Sequence, residues 1–481
     1  MSGFDVKIQQ MRRIFRGEEA YGGGTPSEQA TRFRFERMMP EIVERALANS
    51  GQVPRPKVDL LVSLAGLSPA TTILAYELVQ PARVLAVYSE EATEGIDTIH
   101  QHLVLGGRLR ASDFNYEPCN PTDPMGIYEI VKRRVVGRRS DGERQSAIID
   151  ITGGKKVMSA TAALAAWQLD LPLCYVDSVY DAEFRQPVPG TERLLILPNP
   201  TAIFGDNEMQ AALAMFRSGA YEAARERLGA LSESISEPGR ARFLRDLSDL
   251  YRSWCDLDLP GLPAQVKRVR AGLADPQSKL RPGTASRLAE QLTFLDELAA
   301  DATPSSFLLN FFLLGLHYAD LHRLDFAALL YYRTIEGCFQ ERLHRLYPGF
   351  RCDSTDYALL PVPLTDLRDS CAALRQAIHL PGEPLPNRLG FMDSAVLLCA
   401  LDDPMLRKVG IGDRRALGHL NAVTEARNRS VLAHGLSSVT PKQSSELHSL
   451  AQRGLRALWA LHDPGEEIDA RCERLRFLRE A

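Results

Sequence analysis

The chain has no long apolar run. The longest, around residues 307–316, is too short to cross a bilayer, so no membrane partner is expected. Residues 1–16 are polar and basic without an apolar core segment, so no secretory signal is expected either. Eight cysteines, Cys119, Cys174, Cys255, Cys338, Cys352, Cys371, Cys399 and Cys472, include no CxxC pair. That argues against a zinc ribbon or a disulfide framework and suits a reducing cytoplasm. Charge of one sign is lacking as well: 57 basic residues stand against 61 acidic ones, a net charge of −4. A balanced chain exerts no overall pull on nucleic acid, so any RNA contact has to come from a local site, and no stable DNA binding is expected.

What is present is size and pattern. At 481 residues the chain exceeds one ordinary core, and its 45% apolar and 25% charged residues are typical of globular domains. Over the first two hundred residues strand-like and helix-like stretches alternate. Apolar strand patterns fall at 59–66, 83–88, 147–151, 173–177 and 193–197, with helical patterns between them. Apolar strands separated by helices predict a mostly parallel, Rossmann-like α/β sheet covered on both faces. After Pro198–Pro200 the pattern turns helical. One Gly-Ala-Tyr-Glu-Ala-Ala segment at 219–224 looks like a tetratricopeptide-type turn, too isolated for a solenoid. From about 304 onward five or six helices are expected, one of them over 417–434. The division predicted is 1–200 α/β, 201–300 an all-α connector and 301–481 an all-α bundle.

Two strand-to-helix turns have the address of a ligand site. In an open parallel sheet, ligands bind beyond the carboxyl ends of the strands at a topological switch point. Ser63-Leu-Ala-Gly66-Leu-Ser68-Pro69 is one such turn, and Asp150-Ile-Thr152-Gly153-Gly154-Lys155-Lys156 is the other. Each offers backbone N–H groups at a helix N-terminus, where an anion is favoured, with glycines for close approach and a lysine for countercharge. The P-loop pattern GxxxxGK[ST] is absent, because Val157 follows Lys156, and so is GxGxxG. The plainer account is that both are tight turns with glycine for packing.

Near the other end stands Arg427-Asn428-Arg429-Ser-Val-Leu-Ala-His434-Gly435. Histidine moves protons near neutral pH, and arginine steadies a phosphoryl group as its charge rises. Together they suffice to cut RNA without a metal, since the ribose 2′-OH supplies the nucleophile. Two spacings compete, Arg429-x4-His434 and Arg427-x6-His434. Residues seven apart on a regular helix share a stripe, which favours Arg427. The plainer account is a helix end, with His434 facing the helix dipole and Gly435 capping. Arg333 and Glu336 lie one helical turn apart, the spacing of a simple ion pair. His100 and His102 would diverge on a helix, so no metal site is expected there.

Taken together, the two motifs make the chain resemble the CARF–HEPN ribonucleases of type III CRISPR systems, the Csm/Csx accessory ribonuclease group. The CARF resemblance covers roughly the first two hundred residues, with the Asp-x-Thr-Gly-Gly-x-Lys-x-Met turn its stronger signature. The HEPN resemblance rests on R-x(4–6)-H and on the helix carrying Tyr332-Arg333-Thr-Ile-Glu336. That family's commonest spacing favours Arg429, while Asn428 matches the polar residue that often follows its arginine.

The resemblance implies an endoribonuclease of antiviral defence, allosterically activated by cyclic oligoadenylate, with cyclic tetra-adenylate the expected ring. Its substrate would be single-stranded RNA, cut by 2′-OH attack to leave a 2′,3′-cyclic phosphate. It further implies a cytoplasmic homodimer without a metal cofactor. Ligand residues would be Ser68, Thr152, Gly153, Gly154 and Lys155 or Lys156. Arg429, Arg427, Asn428 and His434 would do the chemistry, with Arg333 and Glu336 in support. The competing expectation is a sensor whose helical part recruits a partner without catalysis.

Overall fold

The computed structural model describes residues 3–51, 58–135, 145–184, 186–278, 280–300, 303–432, 435–465 and 467–479. These fall into two compact units, 1–207 and 208–481.

The first unit is built on a six-stranded sheet. Its strands are β1 (Leu60–Ala65), β2 (Arg83–Tyr88), β3 (Phe114–Pro118), β4 (Ala147–Asp150), β5 (Leu173–Asp177) and, after a small β6–β7 hairpin (Tyr180–Asp181 and Gln186–Pro187), β8 (Arg193–Leu197). The order is β3-β2-β1-β4-β5-β8. Every pairing is parallel except the last, where β8 runs against β5 with Asp177 opposite Arg193. An apolar strand fully buried on both faces explains why β1 reads as a continuous hydrophobic run. Alternate residues serve the two faces. Leu61, Ala65, Val84, Ala86 and Ile148 join one core with the helix Pro69–Val79 and three N-terminal helices, Gly3–Phe15, Pro26–Phe33 and Met39–Asn49. Leu60, Val62, Leu64, Leu85 and Ile149 join the other with the helices Pro124–Val135 and Lys156–Gln168.

Two features of this unit depart from the reading of the sequence. The three N-terminal helices were not anticipated, although Phe4, Met11, Ile14, Phe33 and Ile42 are fully or almost fully buried. A buried ion pair at 2.8 Å, Arg34 with Glu192, ties them to the segment before β8. The edge strand β3 was missed as well: only Phe114 is buried in it, so it carries no apolar run to find.

From β1 the chain winds outward through β2 and β3, then returns to the far side of β1 through β4. The switch point therefore lies between β1 and β4, whose partners run from Leu60↔Ala147 to Ser63↔Asp150. The two glycine turns leave the carboxyl ends of these neighbouring strands.

The second unit is helical throughout its described residues and shares one core from Ala212 to Leu478. The helices expected of the connector and of the C-terminal bundle contribute to it jointly. Phe477 stacks on Trp254 at 4.2 Å between ring centroids and on His317 at 4.0 Å. Trp254 donates to Asn310 at 2.7 Å, and Tyr251 to Gln291 at 2.7 Å. Among the described residues no helix is long and apolar enough to cross a membrane.

One boundary differs in a way that matters. The helix expected over 417–434 is Arg414–Asn428 and stops well short of the histidine. Gly435 therefore lies beyond the end of this helix and does not cap it, and the helical stripe that favoured Arg427 does not extend past Asn428.

Candidate functional sites

The two glycine turns meet backbone to backbone. A Cβ on Gly66 would lie 2.8 Å from the amide nitrogen of Gly154, and one on Gly153 would lie 2.1 Å from the carbonyl oxygen of Leu64. Gly154 has φ +77°, a conformation that L side chains rarely adopt. All three positions therefore admit only glycine if the turns are to touch.

Asp150 organises the contact from below. Its fully buried carboxylate accepts from Ser63 Oγ at 2.6 Å and from the Thr152 amide at 2.9 Å, and the Thr152 hydroxyl also donates to it. Burial pushes the Asp150 carboxyl above the usual carboxylate range, and the Ser63 and Thr152 hydrogen bonds oppose that rise. Thr152 Oγ also accepts from the amide of Val176 at 2.8 Å. The structure thus spends the Thr152 hydroxyl on joining β4 to β5.

What remains outward is the backbone and the lysines. Ser68 and Lys155 occupy the N-cap positions of Pro69–Val79 and Lys156–Gln168, and neither side chain caps its helix. The first-turn N–H groups are therefore not consumed by a side chain at the cap, as an anion site requires. Ser68, Lys155 and Lys156 are exposed. Lys155 Nζ pairs with Glu91 at 3.0 Å. Glu91 also lines a cavity of about 490 Å³ with Glu90, Ser89 and Asn120 at the ends of β2 and β3.

At the other site the polar residues follow the helix Arg414–Asn428. Arg427 lies with its guanidinium carbon 4.2 Å from the centroid of the Tyr332 ring and donates to Asn428 Oδ1 at 3.2 Å. Tyr332 packs edge-on against Phe391 at 4.9 Å. Burial lifts the Tyr332 phenol to about 12, with Glu336 adding to the rise and Arg427 and Arg333 opposing it. Tyr332 is therefore neutral at any working pH. Arg333 pairs with Glu336, which is nearly buried while the arginine is half exposed.

Arg429 is different. Its side chain is 75% exposed and, among the described residues, its ion-pair partner is Glu425 at 3.7 Å. Its backbone, in contrast, is fixed: Ser437 N donates to Arg429 O at 3.3 Å, Val431 N to Ser437 O at 3.2 Å and Gly435 N to Ser430 O at 3.1 Å. The chain after Asn428 folds into a tight loop, with Gly435 pressed on the Arg429 carbonyl, where a Cβ would stand 1.8 Å from the oxygen. His434 lies outside the described residues. Arg427, Asn428 and Arg429 thus follow one another at one helix end, with Arg427 over the Tyr332 ring.

Tyr332 is a residue whose role the sequence does not reveal. Nothing local marks it as the seat of Arg427, because the two meet only through packing of separate helices. Asp150 could have been found: an aspartate two residues before a threonine is a local turn signal. Among the described residues no group of three or more His, Cys, Asp or Glu is arranged to hold a metal.

Residues 304–457 match the family described as Csm6 HEPN domain. The chain is similar to the CRISPR system endoribonuclease Csm6 of Thermus thermophilus, 27% identical over 416 residues, covering 83% of this chain and 85% of that protein. Among solved structures it resembles Enterococcus italicus Csm6 bound to cyclic hexa-2′-fluoro-hexa-dAMP, with a TM-score of 0.53 and 13% identity over 87% of this chain and 100% of that one. At that identity the likeness is one of fold.

Proposed function

We propose that this chain is a CARF–HEPN protein of the Csm6 type and that it is an endoribonuclease gated by a cyclic oligoadenylate. The observation that carries the reading is Arg427, seated on Tyr332 beside Asn428 and Arg429 within the stretch that matches the Csm6 HEPN domain. Arginine held in place before the reaction stabilises charge as it develops without reorganising. The 2′-OH of the RNA attacks the adjacent phosphorus and the 5′-oxygen leaves. The products are a 2′,3′-cyclic phosphate and a 5′-OH. His434 moves the proton, and the arginines hold the phosphorane-like charge. No metal is required, because the nucleophile is the substrate's own hydroxyl.

The sensor is the paired turn at the switch point. Two helix N-termini without side-chain caps, exposed Lys155 and Lys156, and glycine backbone suit a ligand bearing several phosphates. A ring of repeating AMP units suits a twofold site between two copies of this unit, so the active form is a homodimer. Binding shifts the population towards the cleaving conformation only by as much as the ring prefers that conformation.

The test is cleavage of a fluorogenic single-stranded RNA in EDTA, with cyclic tetra- or hexa-adenylate, for wild type and His434→Ala. Cleavage with one ring alone, abolished in the variant, supports the reading and names the activator. Ring binding without any cleavage leaves a sensor whose helical unit recruits a partner.

A further inference from the structure

The helix Leu324–Leu346 has a second working face beside Tyr332. Arg333, Gly337, Gln340 and His344, spaced three and four residues apart, form one stripe that lines a cavity of about 870 Å³. The opposite wall carries Phe307 and Phe311, with ring centroids 6.0 Å apart. Arg351 and Arg388 stand at its rim, both exposed. The acids that face it are already matched: Glu341 accepts from Arg345 at 2.6 Å, and Asp353 from Arg351 at 2.8 Å. Asp353 faces two arginines, Arg351 in an ion pair and Arg388 through space, so the lining keeps a net positive charge.

An apolar ligand would not call for a rim of arginines, and a simple anion would not call for two phenyl rings. Single-stranded nucleic acid uses both, because every base has a face that stacks on an aromatic ring and every linkage carries a phosphate. The cavity is also near the proposed cleavage site in sequence on one helix: Arg333, which lines it, follows Tyr332, and Tyr332 seats Arg427.

We propose that this cavity is a substrate subsite that seats a nucleotide flanking the scissile linkage. The base lies against Phe307 and Phe311, and its phosphate meets Arg388 and Arg351. The inference rests on the endoribonuclease reading and adds where the rest of the RNA goes.

Arg388→Ala, Arg351→Ala and Phe311→Leu, each in the full chain with activator, test it. Steady-state cleavage should show KM raised about tenfold per residue, the size of one base stack or one charged contact, with kcat within about twofold. The slope of log binding against log salt should fall by roughly 0.7 for each arginine removed. A purely structural role would not move that slope. A substrate trimmed to the scissile dinucleotide should lose the difference between wild type and Arg388→Ala. Unchanged KM and salt slope in an active enzyme overturn the subsite and leave the endoribonuclease standing. If wild type cleaves nothing, fluorescence anisotropy of RNA binding decides separately: weaker binding in Arg388→Ala supports the subsite, and equal binding overturns it.

Discussion

Arg427 and Arg429 stand two residues apart in very different surroundings, and under the proposed chemistry those surroundings predict different work. Arg427 is held over the Tyr332 ring, whose edge rests on Phe391. Arg429 reaches into solvent with a loose partner in Glu425. A guanidinium fixed in place stabilises a transition state, whereas a free one captures phosphate and so governs ground-state binding. Arg427→Lys should therefore lower kcat by about a hundredfold, the usual effect of losing one preorganised donor. Arg429→Lys should raise KM and spare kcat. Tyr332→Phe keeps the ring and should be nearly silent, whereas Tyr332→Leu removes a contact of about 1–2 kcal/mol and should mimic part of the Arg427 defect. Single-turnover and steady-state cleavage of one RNA by the four variants separates these outcomes. The reverse pattern, with kcat lost at Arg429, would move the charge-stabilising role there. The sequence displays both arginines but cannot rank them. Spacing on an imagined helix favours Arg427, yet what distinguishes the pair is an aromatic seat supplied by another helix.

At the scale of the element, the informative feature is where a helix stops. Nothing in Arg427-Asn428-Arg429-Ser430-Val431-Leu432 breaks a helix before Gly435, so propensity alone carries the pattern to 434. Tertiary closure ends it instead: Ser437 returns to bond both the Arg429 carbonyl and the Val431 amide. The strands were more legible. Stretches buried on both faces, such as Leu60–Ala65 and Ala147–Asp150, announce themselves by composition, while the exposed edge strand Phe114–Pro118 does not. The Asp150-Ile-Thr152-Gly153-Gly154 turn was legible as a turn at a strand end. Its hydroxyl was not, because the partner amide of Val176 lies on the next strand. The closed loop yields a test. In Gly435→Ala the new methyl would fall 1.8 Å from the Arg429 carbonyl, so the loop must reopen. We expect cleavage to fall more than about tenfold for a backbone strain of order 1–3 kcal/mol, with circular dichroism unchanged and melting lowered by only a few degrees. Leu436→Ala, at a residue 98% exposed, is the control and should behave as wild type. Full activity in Gly435→Ala would show that the loop's closed form is not the working one.

For the whole molecule, two units with separate cores mean that regulation and stability can be probed apart. The core of the helical unit joins the connector helices to the C-terminal segment through a stack of Trp254, Phe477 and His317. His317 is buried, and its Nδ1 has no hydrogen-bond partner among the described residues. Burial, with Arg479 and Arg323 adding repulsion, pushes its pKa down to about 3. An unfolded chain would hold the imidazole near its ordinary value of about 6.5. Between those values the unfolded state binds a proton that the folded state refuses, so acid favours unfolding. The contribution is complete above pH 6.5 and fades as the pH falls towards 3. At pH 5 the loss amounts to about 2 kcal/mol, one and a half pKa units at 1.36 kcal/mol each. Tyr221, Tyr318 and Cys255 also lie close to this imidazole, but burial raises all three, so none changes charge in that range. Denaturant unfolding of the helical unit at pH 8 and pH 5, for wild type and His317→Phe, isolates the effect from the carboxylates common to both. Phenylalanine keeps the stack on Phe477 and removes the proton. The variant should lose about 2 kcal/mol less than wild type over that interval, and parallel losses in both would mean that the buried imidazole is protonated in the folded protein.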